Sequence, residues 1–407
     1  MPTLVDFSAE RRNHCYANNC WHTRKETQMT DTDVLIVGAG PTGLALAAAL
    51  QARGVDALVV DRLAAGANTS RAAVVNARTL EVLEDLGVSE RLVELGIEAP
   101  RFTIRDGHRT LIPVDFSTLP TRYPYSLMVP QCTTEQVLLD RLAELGGKVI
   151  RPKTLTGVTQ DDHGVTAQFE DGEVIRARYL VGADGMHSVV REQAGIGFSG
   201  GQYGQSFALA DVRLSGDVTD DEVILFWAST GLTVVAPLPG GTYRIVAPVD
   251  SAPEEPSAAF VQNLLDTRAF GPGRVTVTGV EWGSRFRVHH RVADSYRAGR
   301  VLLAGDAAHV HSPAGGQGMN LGIQDALALS QALATALTTG RDGVLDEYSA
   351  TRRPLAQQVV ALTDRLTRLA TLPAPVRPIR NLAIGLAGRV PAVRNQLAWR
   401  LSGLSNR

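Results

Sequence analysis

The residues of this sequence that could carry chemistry are glycines and aspartates rather than nucleophiles or metal ligands. The run Gly38-Ala39-Gly40-Pro41-Thr42-Gly43 has the spacing G-x-G-x-x-G. Gly38 permits a tight turn, Gly40 lets backbone approach a pyrophosphate, and Gly43 lets a helix pack closely on a strand. Asp61 stands where a carboxylate accepts hydrogen bonds from a ribose diol. Together they predict an ADP-containing cofactor. FAD and NAD(P) both contain ADP, so this motif does not choose between them. A second group lies in Tyr179–Arg191, YLVGADGMHSVVR, where a buried strand delivers Gly182, Asp184 and Gly185 to a loop. Asp184 at a strand's carboxyl end is placed for ligand contact, and it could equally cap the helix that follows. The third is Val301–Asp325, VLLAGDAAHVHSPAGGQGMNLGIQD. It reads as a strand, a Gly-Asp turn, a Pro/Gly-rich loop and a helix opening at Gly315–Asn320. A helix mouth presents unpaired backbone N–H groups and favours negative charge.

These groups need a scaffold, and the intervening sequence supplies one. Asp33–Val37 reads as a short buried strand before the glycines. Leu44–Arg53 is an Ala/Leu-rich helix closed by Gly54, and Ala57–Val60 is a second strand ending at Asp61. Arg71 precedes an amphipathic helix, Asn76–Leu86. Phe102–Phe116 alternates around Asp106-Gly107 and reads as a β-hairpin belonging to another sheet. Val129-Pro130-Gln131 leads into a helix, Thr133–Leu145. Two strands follow, Val158–Gln168 and Glu173–Tyr179, separated at Asp171-Gly172.

From Ser206 to about Val288 short strands dominate: Phe207–Leu214, Val223–Ala228, Leu232–Leu238, Tyr243–Pro248 and Val275–Val288. One helix, Ser257–Leu265, interrupts them. This antiparallel sheet carries Phe207, Phe226, Trp227, Tyr243, Trp282 and Phe286. Such side chains usually make core, but collectively they could wall an apolar pocket. Phe226, Trp227 and Tyr243 are the substrate-binding candidates among them. Arg291–Asp306 then returns the chain to the nucleotide-binding unit.

The expected fold class is α/β: a Rossmann-like domain interleaved with an antiparallel-sheet domain, plus C-terminal helices. The nucleotide-binding domain takes residues 31–101, 128–200 and 289–345. The sheet domain takes 102–127 and 201–288, and 346–407 form a C-terminal helical segment. Within that segment, Pro373–Arg407 reads as Pro-punctuated amphipathic helix with Arg377, Arg380, Arg389, Arg394 and Arg400. A helical cap on the core is the plain reading. Contact with an anionic membrane ranks below it because the apolar face is short.

The chain has 407 residues, 44% hydrophobic and 20% charged, long enough for more than one domain. A net charge of −2 argues against a nucleic-acid partner. The longest apolar stretches are broken by glycine, so no transmembrane span is expected. Three cysteines make no disulfide framework, which fits a cytoplasmic protein. Residues 1–28 lack periodicity and an apolar signal core, and read as a disordered extension. His14, Cys15, Cys20 and His22 cluster there. Adjacent His14 and Cys15 rarely both point at one ion, so no metal site is expected.

GAGPTG with Asp61, the GADG of Gly182–Gly185, and GDAAH running into PAGGQGMN resemble the three fingerprints of single-component flavoprotein aromatic hydroxylases. This is the p-hydroxybenzoate hydroxylase-like group of FAD-dependent monooxygenases, and the look is of its phenol and aromatic-polyketide hydroxylases. The resemblance covers Asp31 to about Arg353. It implies that Gly38, Gly40, Pro41, Thr42 and Gly43 contact the FAD pyrophosphate, and Asp61 with Arg62 the adenosine ribose side. Arg71 and Gln131 would lie near the ribityl part. Asp184 would serve both FAD and the nicotinamide nucleotide. Gly305 and Asp306 would anchor a ribityl hydroxyl. Pro313, Gly315, Gly316, Gly318, Met319 and Asn320 would run along the flavin ring, with Pro313, Gly315 and Gly316 beside the reaction itself. His309 and His311 would be structural or flavin-adjacent rather than acid/base groups. Some relatives continue into a thioredoxin-like domain after a segment resembling Leu401-Ser402-Gly403-Leu404, and no such domain is expected here.

The implied activity is hydroxylation of a small aromatic substrate by molecular oxygen through a flavin C4a-hydroperoxide, with NADPH or NADH as reductant. No second G-x-G-x-x-G is visible for the nicotinamide nucleotide, which fits the group. The enzyme would be a monomer or homodimer. A flavin halogenase is disfavoured because no W-x-W-x-I-P run is present. An oxidase or dehydrogenase on the same fold stays open, as does a non-catalytic FAD-binding protein.

Overall fold

The computed structural model describes residues 29–66, 72–313, 315–370 and 372–407. Arg71, Ala314 and the His/Cys group of residues 1–28 lie outside them. One eight-stranded sheet has a parallel centre. Its middle strand, Met29–Val37, pairs in parallel with Ala57–Val60 on one side and Val174–Gly182 on the other. Val174–Gly182 pairs in turn with Val301–Leu303. Val34, Leu35 and Ile36 are buried, as are Leu180 and Val181. Unbroken apolar runs suit strands covered on both faces. The covering helices include Pro41–Gln51 and Gly318–Thr339, which pack on each other.

The second eight-stranded sheet is largely antiparallel. It contains the hairpin Arg101–Asp106/Arg109–Asp115, joined in parallel to Glu222–Ala228. Its longest strands are Phe198–Gly216 and Val275–Ala293, each of 19 residues. They run through positions 200/201 and 288/289, where sequence reading divided the chain. The division at 345/346 falls inside the helix Gly343–Ala370. Composition changes at these points while the elements run on, although the ladder between the two long strands shifts register between Gln202 and Ser206. A small sheet of Val74–Val75, Ser126–Met128 and Ile97–Ala99 stands apart from both.

One expected strand is two. Val158–Gln168 is broken into Leu155–Gln160 and Val165–Phe169. Asp161 Oδ1 accepts from the N–H groups of His163 and Gly164 and turns the chain between them. The expected helix from Ser257 begins at Ala258, with the Ser257 side chain accepting from the Phe260 N–H. Among the described residues no helix is long and apolar enough to cross a membrane.

Candidate active site

Register brings the three motifs to one place. Val60, Val37, Gly182 and Leu303 lie side by side across the parallel strands. The chain leaves each of them at the same carboxyl edge. Backbone bonds stitch the departures together: Gly38 N–H to Val60 O at 2.8 Å, Ala183 N–H to Val37 O at 2.8 Å, and Ala304 N–H to Gly182 O at 3.0 Å. Asp61, Gly38–Gly43, Asp184 and Asp306 therefore share one mouth, where open α/β sheets bind ligands.

The glycines in this mouth do different work. Gly38 has φ +108, and a Cβ there would meet Ala183 O at 2.3 Å. A Cβ on Gly43 would stand 1.9 Å from Gly38 O, so helix and turn meet only because residue 43 is glycine. Nothing lies within 4 Å of the Cβ position of Gly40. That open space fronts a helix whose N-terminus has no side-chain cap and no acid in its first turn. Its positive end is left for an anion. Thr42 faces inward: a Cβ on Gly305 or Gly322 would approach its Oγ1 to 2.5 or 2.4 Å. It locks the two helices and the Gly-Asp turn together.

The aspartates differ in the same way. Asp61 Oδ2 accepts from Ala39 N–H at 2.7 Å, and Oδ1 from Leu63 N–H at 2.8 Å. The carboxylate holds the glycine turn and keeps lone pairs over for a hydroxyl. Asp184 Oδ2 accepts from Val190 N–H at 3.2 Å, while Oδ1 is buried without a partner among the described residues. Burial pushes its carboxyl upward in pKa, against the hydroxyl of Ser188 and nearby N–H groups. Ser188 is the N-cap of the helix Val189–Gln193, accepting from Arg191 N–H, and Asp184 shares the work by accepting from Val190 N–H. Asp306 is the one exposed residue between Val301 and Val310.

A scan against family models matches residues 31–363 to an FAD binding domain. Over 361 residues the chain is 37% identical to rifampicin monooxygenase of Streptomyces venezuelae, covering 86% of this chain and 74% of that protein. Among solved structures, the anhydrotetracycline hydroxylase OxyS from Streptomyces rimosus superposes with a TM-score of 0.76 at 36% identity, over 92% of this chain and 76% of that one. The Diels–Alderase PyrE3 superposes with a TM-score of 0.77 at 32% identity, over 91% of this chain and 80% of that one.

The chain belongs to the p-hydroxybenzoate hydroxylase-like family of FAD-dependent monooxygenases.

The mouth suits that family's cofactor on its own geometry. An uncapped helix end with clear space at Gly40 fits a pyrophosphate, and carboxylates at Asp61 and Asp306 fit sugar and ribityl hydroxyls. Arg62 is exposed beside Asp61. Arg151 and Glu135, which sequence reading missed, approach the same turn. Arg151 Nη2 donates to Ala39 O at 3.1 Å, and Gln131 Nε2 donates to Glu135 at 2.8 Å. Gln131 Oε1 also accepts from Ala72 N–H at 3.2 Å, so this side chain braces the segment after Arg71.

Where the loop enters the helix Gly318–Thr339, the Asn320 side chain is engaged with backbone. Its Oδ1 accepts from Asn76 N–H at 2.9 Å, and its Nδ2 donates to Val74 O at 2.9 Å and Gly316 O at 2.7 Å. The side chain is spent on backbone. Gln317 adds bonds to Gly315 O and Leu401 O. Asn76 is thus a hub that sequence reading treated only as a helix start; its own Oδ1 accepts from Thr79 N–H. The helix begins at Gly318 and has no side-chain cap. Met319 packs on the main core. Gly315 and Gly316 have φ +85 and +62, values that favour glycine, and Gly316 sits against Val74. Pro313 is exposed at the loop's start.

Of the histidines of this stretch, His309 is buried and His311 half-buried behind the loop. His309 Nε2 lies 2.6 Å from Asp325 Oδ2, and Arg352 Nε donates to Asp325 Oδ1 at 2.6 Å. Burial alone would raise the Asp325 pKa, but Arg352 and His309 outweigh it and hold the carboxyl low. His311 is pushed down to about 4 by burial, with His309 adding to the effect. A Cβ on Gly318 would lie 3.8 Å from its ring, so it stands directly beneath the helix mouth.

Strand alternation turns two of the three substrate candidates away from the motifs and leaves Trp227 on the face of Arg244. Phe226 and Tyr243 belong to the cluster formed with the helix Ala258–Arg268, on the sheet face away from the motifs. Trp227 takes the opposite face and packs beneath the C-terminal helices. Arg244, next to Tyr243, marks the face toward the FAD-binding motifs, because its Nη1 donates to Ala72 O at 2.9 Å. Trp282 lies on that face with Arg244 at 5.9 Å from its ring. Phe207 and Phe286 stack there at 5.5 Å. The period of two was visible in sequence, but which parity faces the cofactor was not.

Proposed function

We propose that this enzyme consumes NADPH or NADH and inserts one atom of molecular oxygen into an aromatic ring, phenolic or polyketide-like. The observation that carries the reading is the row Val60–Val37–Gly182–Leu303, which gathers Asp61, the glycine turn, Asp184 and Asp306 at one sheet edge. Relatives named for oxygenation of rifampicin and anhydrotetracycline support the substrate class. Bound FAD supplies the electron transfer from nicotinamide to oxygen and the oxygen transfer to the ring.

The chain's own residues do the rest. Backbone N–H groups around Gly40–Gly43 hold pyrophosphate, and Asp61 and Asp306 hold hydroxyls. The N–H groups at Gly318, Met319 and Asn320 face negative charge on the pyrimidine end of the ring. Pro313, Gly315 and Gly316 form a side wall without bulky side chains. Phe207, Trp282 and Phe286 supply an apolar wall that keeps water from the reacting oxygen. The nicotinamide nucleotide leaves after reduction, without a tight Rossmann site of its own. Within this reading the enzyme is cytoplasmic, where NAD(P)H is supplied, and a monomer or homodimer.

The test is NAD(P)H consumption under isotopically labelled oxygen, with a panel of phenols, naphthoquinones and polycyclic aromatics. Substrate-stimulated consumption with one labelled oxygen in the product is expected. Consumption without labelled product would replace the reading with an oxidase. The likeness to PyrE3 favours a second reading, in which FAD binding serves a reaction without oxygen transfer. Failure of NAD(P)H to bleach the bound flavin would favour it.

A further inference from the structure

The C-terminal helix Arg377–Ala387 is turned inside out. Its inward face carries Arg380, Asn381 and Ile384, with both Arg380 Nη2 and Asn381 Nδ2 donating to Trp227 O. Arg380 also lies 5.1 Å from the Trp227 ring. Its outward face carries Ile379 at 70% exposure and Leu382 and Leu386 at 54% each. These occupy i, i+3 and i+7, one stripe of a helix. Val376 and Val390 extend the stripe at either end, at 41% and 47%. Six of the nine exposed large hydrophobics among the described residues fall between Leu369 and Val390. A helix that buries its polar groups and exposes its aliphatic ones marks an interaction surface.

Charge says what covers it. From Arg365 to Arg407 the sequence has eight arginines and no Asp, Glu or Lys. The whole chain is −2, so this segment's +8 sits against −10 elsewhere. Arg368 and Arg407 are paired with Asp364 and Glu81. Among the described residues no carboxylate pairs with Arg389, Arg394 or Arg400 on and beyond the end of the stripe; Arg389 and Arg400 are exposed. A second copy docked on the stripe would set like charges face to face. An anionic lipid surface satisfies both features: acyl chains take the aliphatic stripe and headgroups take the guanidinium groups. The helix has 11 residues, too short to span and suited to lying in the interface.

We infer that the outward face of Arg377–Ala387, flanked by Arg389 and Arg394, seats the enzyme on anionic membrane. The test is cosedimentation of the flavin-loaded full chain with phosphatidylglycerol/phosphatidylcholine vesicles and with pure phosphatidylcholine vesicles. Binding to the former only, released by high salt, is expected. Arg389→Gln with Arg394→Gln should lower the partition coefficient roughly tenfold or more. Ile379→Ser with Leu382→Ser and Leu386→Ser should do the same. Unchanged flavin absorbance and melting temperature show that each variant is folded. No vesicle binding by the wild type overturns the inference, as does binding that survives either set of substitutions. A dimer that the serine variant dissolves, without vesicle binding, means that a second copy covers the stripe. None of these outcomes depends on the proposed reaction.

Discussion

Asp306 carries the sharpest test at the scale of single residues. It projects from a stretch whose other residues are buried, at the edge where the motifs converge. Asp306→Ala should lose bound FAD while the fold remains, read as flavin absorbance per mole of purified protein; full flavin content would remove it from the site. His311 gives a pH signature. Its imidazole titrates near 6.5 when free and is held at about 4 in the fold, chiefly by burial. Between those values the unfolded chain binds a proton that the folded chain does not. Stability from this group is therefore complete above pH 6.5 and lost as pH falls toward 4. Urea midpoints across that window should fall with pH in the wild type and fall less in His311→Gln. Parallel slopes would count against it.

At the scale of elements, the glycine turn separates folding from binding. Gly43→Ala forces a Cβ to 1.9 Å from Gly38 O, where only backbone can give way. Overpacking of this kind costs about 1–3 kcal/mol or more, read as a lower melting temperature even without flavin. Gly40→Ala meets nothing within 4 Å and has φ −78, which alanine adopts freely. It should leave the melting temperature of the flavin-free protein unchanged and weaken FAD binding, measured by fluorescence titration. Equal effects from both variants would contradict the division of labour. The loop Gly315–Asn320 shows the same economy. Asn76, Gln317 and Asn320 hold it through bonds of side-chain amides to backbone, and the proposed function gives the N–H groups at its helix to the flavin.

At the scale of the molecule, a buried charge pair inside the antiparallel sheet reaches out to the segment before Val74–Val75. Arg244 donates to both carboxylate oxygens of Asp211 at 2.8 and 2.7 Å and also to Ala72 O, in the flavin unit. The Arg244 side chain is 3% exposed and that of Asp211 16%. Removing one partner strands the other charge. Arg244→Met should cost about 3–5 kcal/mol by chemical denaturation, and Arg244→Met with Asp211→Leu should recover much of it. A double variant no better than the single would mean that the Ala72 contact, not charge, carries the tie.

The parallel sheet and the interleaved antiparallel sheet were legible in the sequence from local physics: a G-x-G-x-x-G turn needs its strand and helix, and apolar runs or alternation declare how strands are covered. That GAGPTG, GADG and GDAAH serve one site was expected from the family resemblance. Residue positions relative to other strands were not legible. Whether Phe226 or Phe207 faces the motifs depends on register set by partners far along the chain, and one residue of parity reverses every side chain. Asn76 meets Asn320 across 244 positions, and no local pattern announces such a bond. The C-terminal helix shows the limit most plainly. Sequence made Pro373–Arg407 Pro-punctuated amphipathic helix; only tertiary structure decided that the apolar stripe of Arg377–Ala387 faces out, because Arg380 and Asn381 find Trp227 O beneath them.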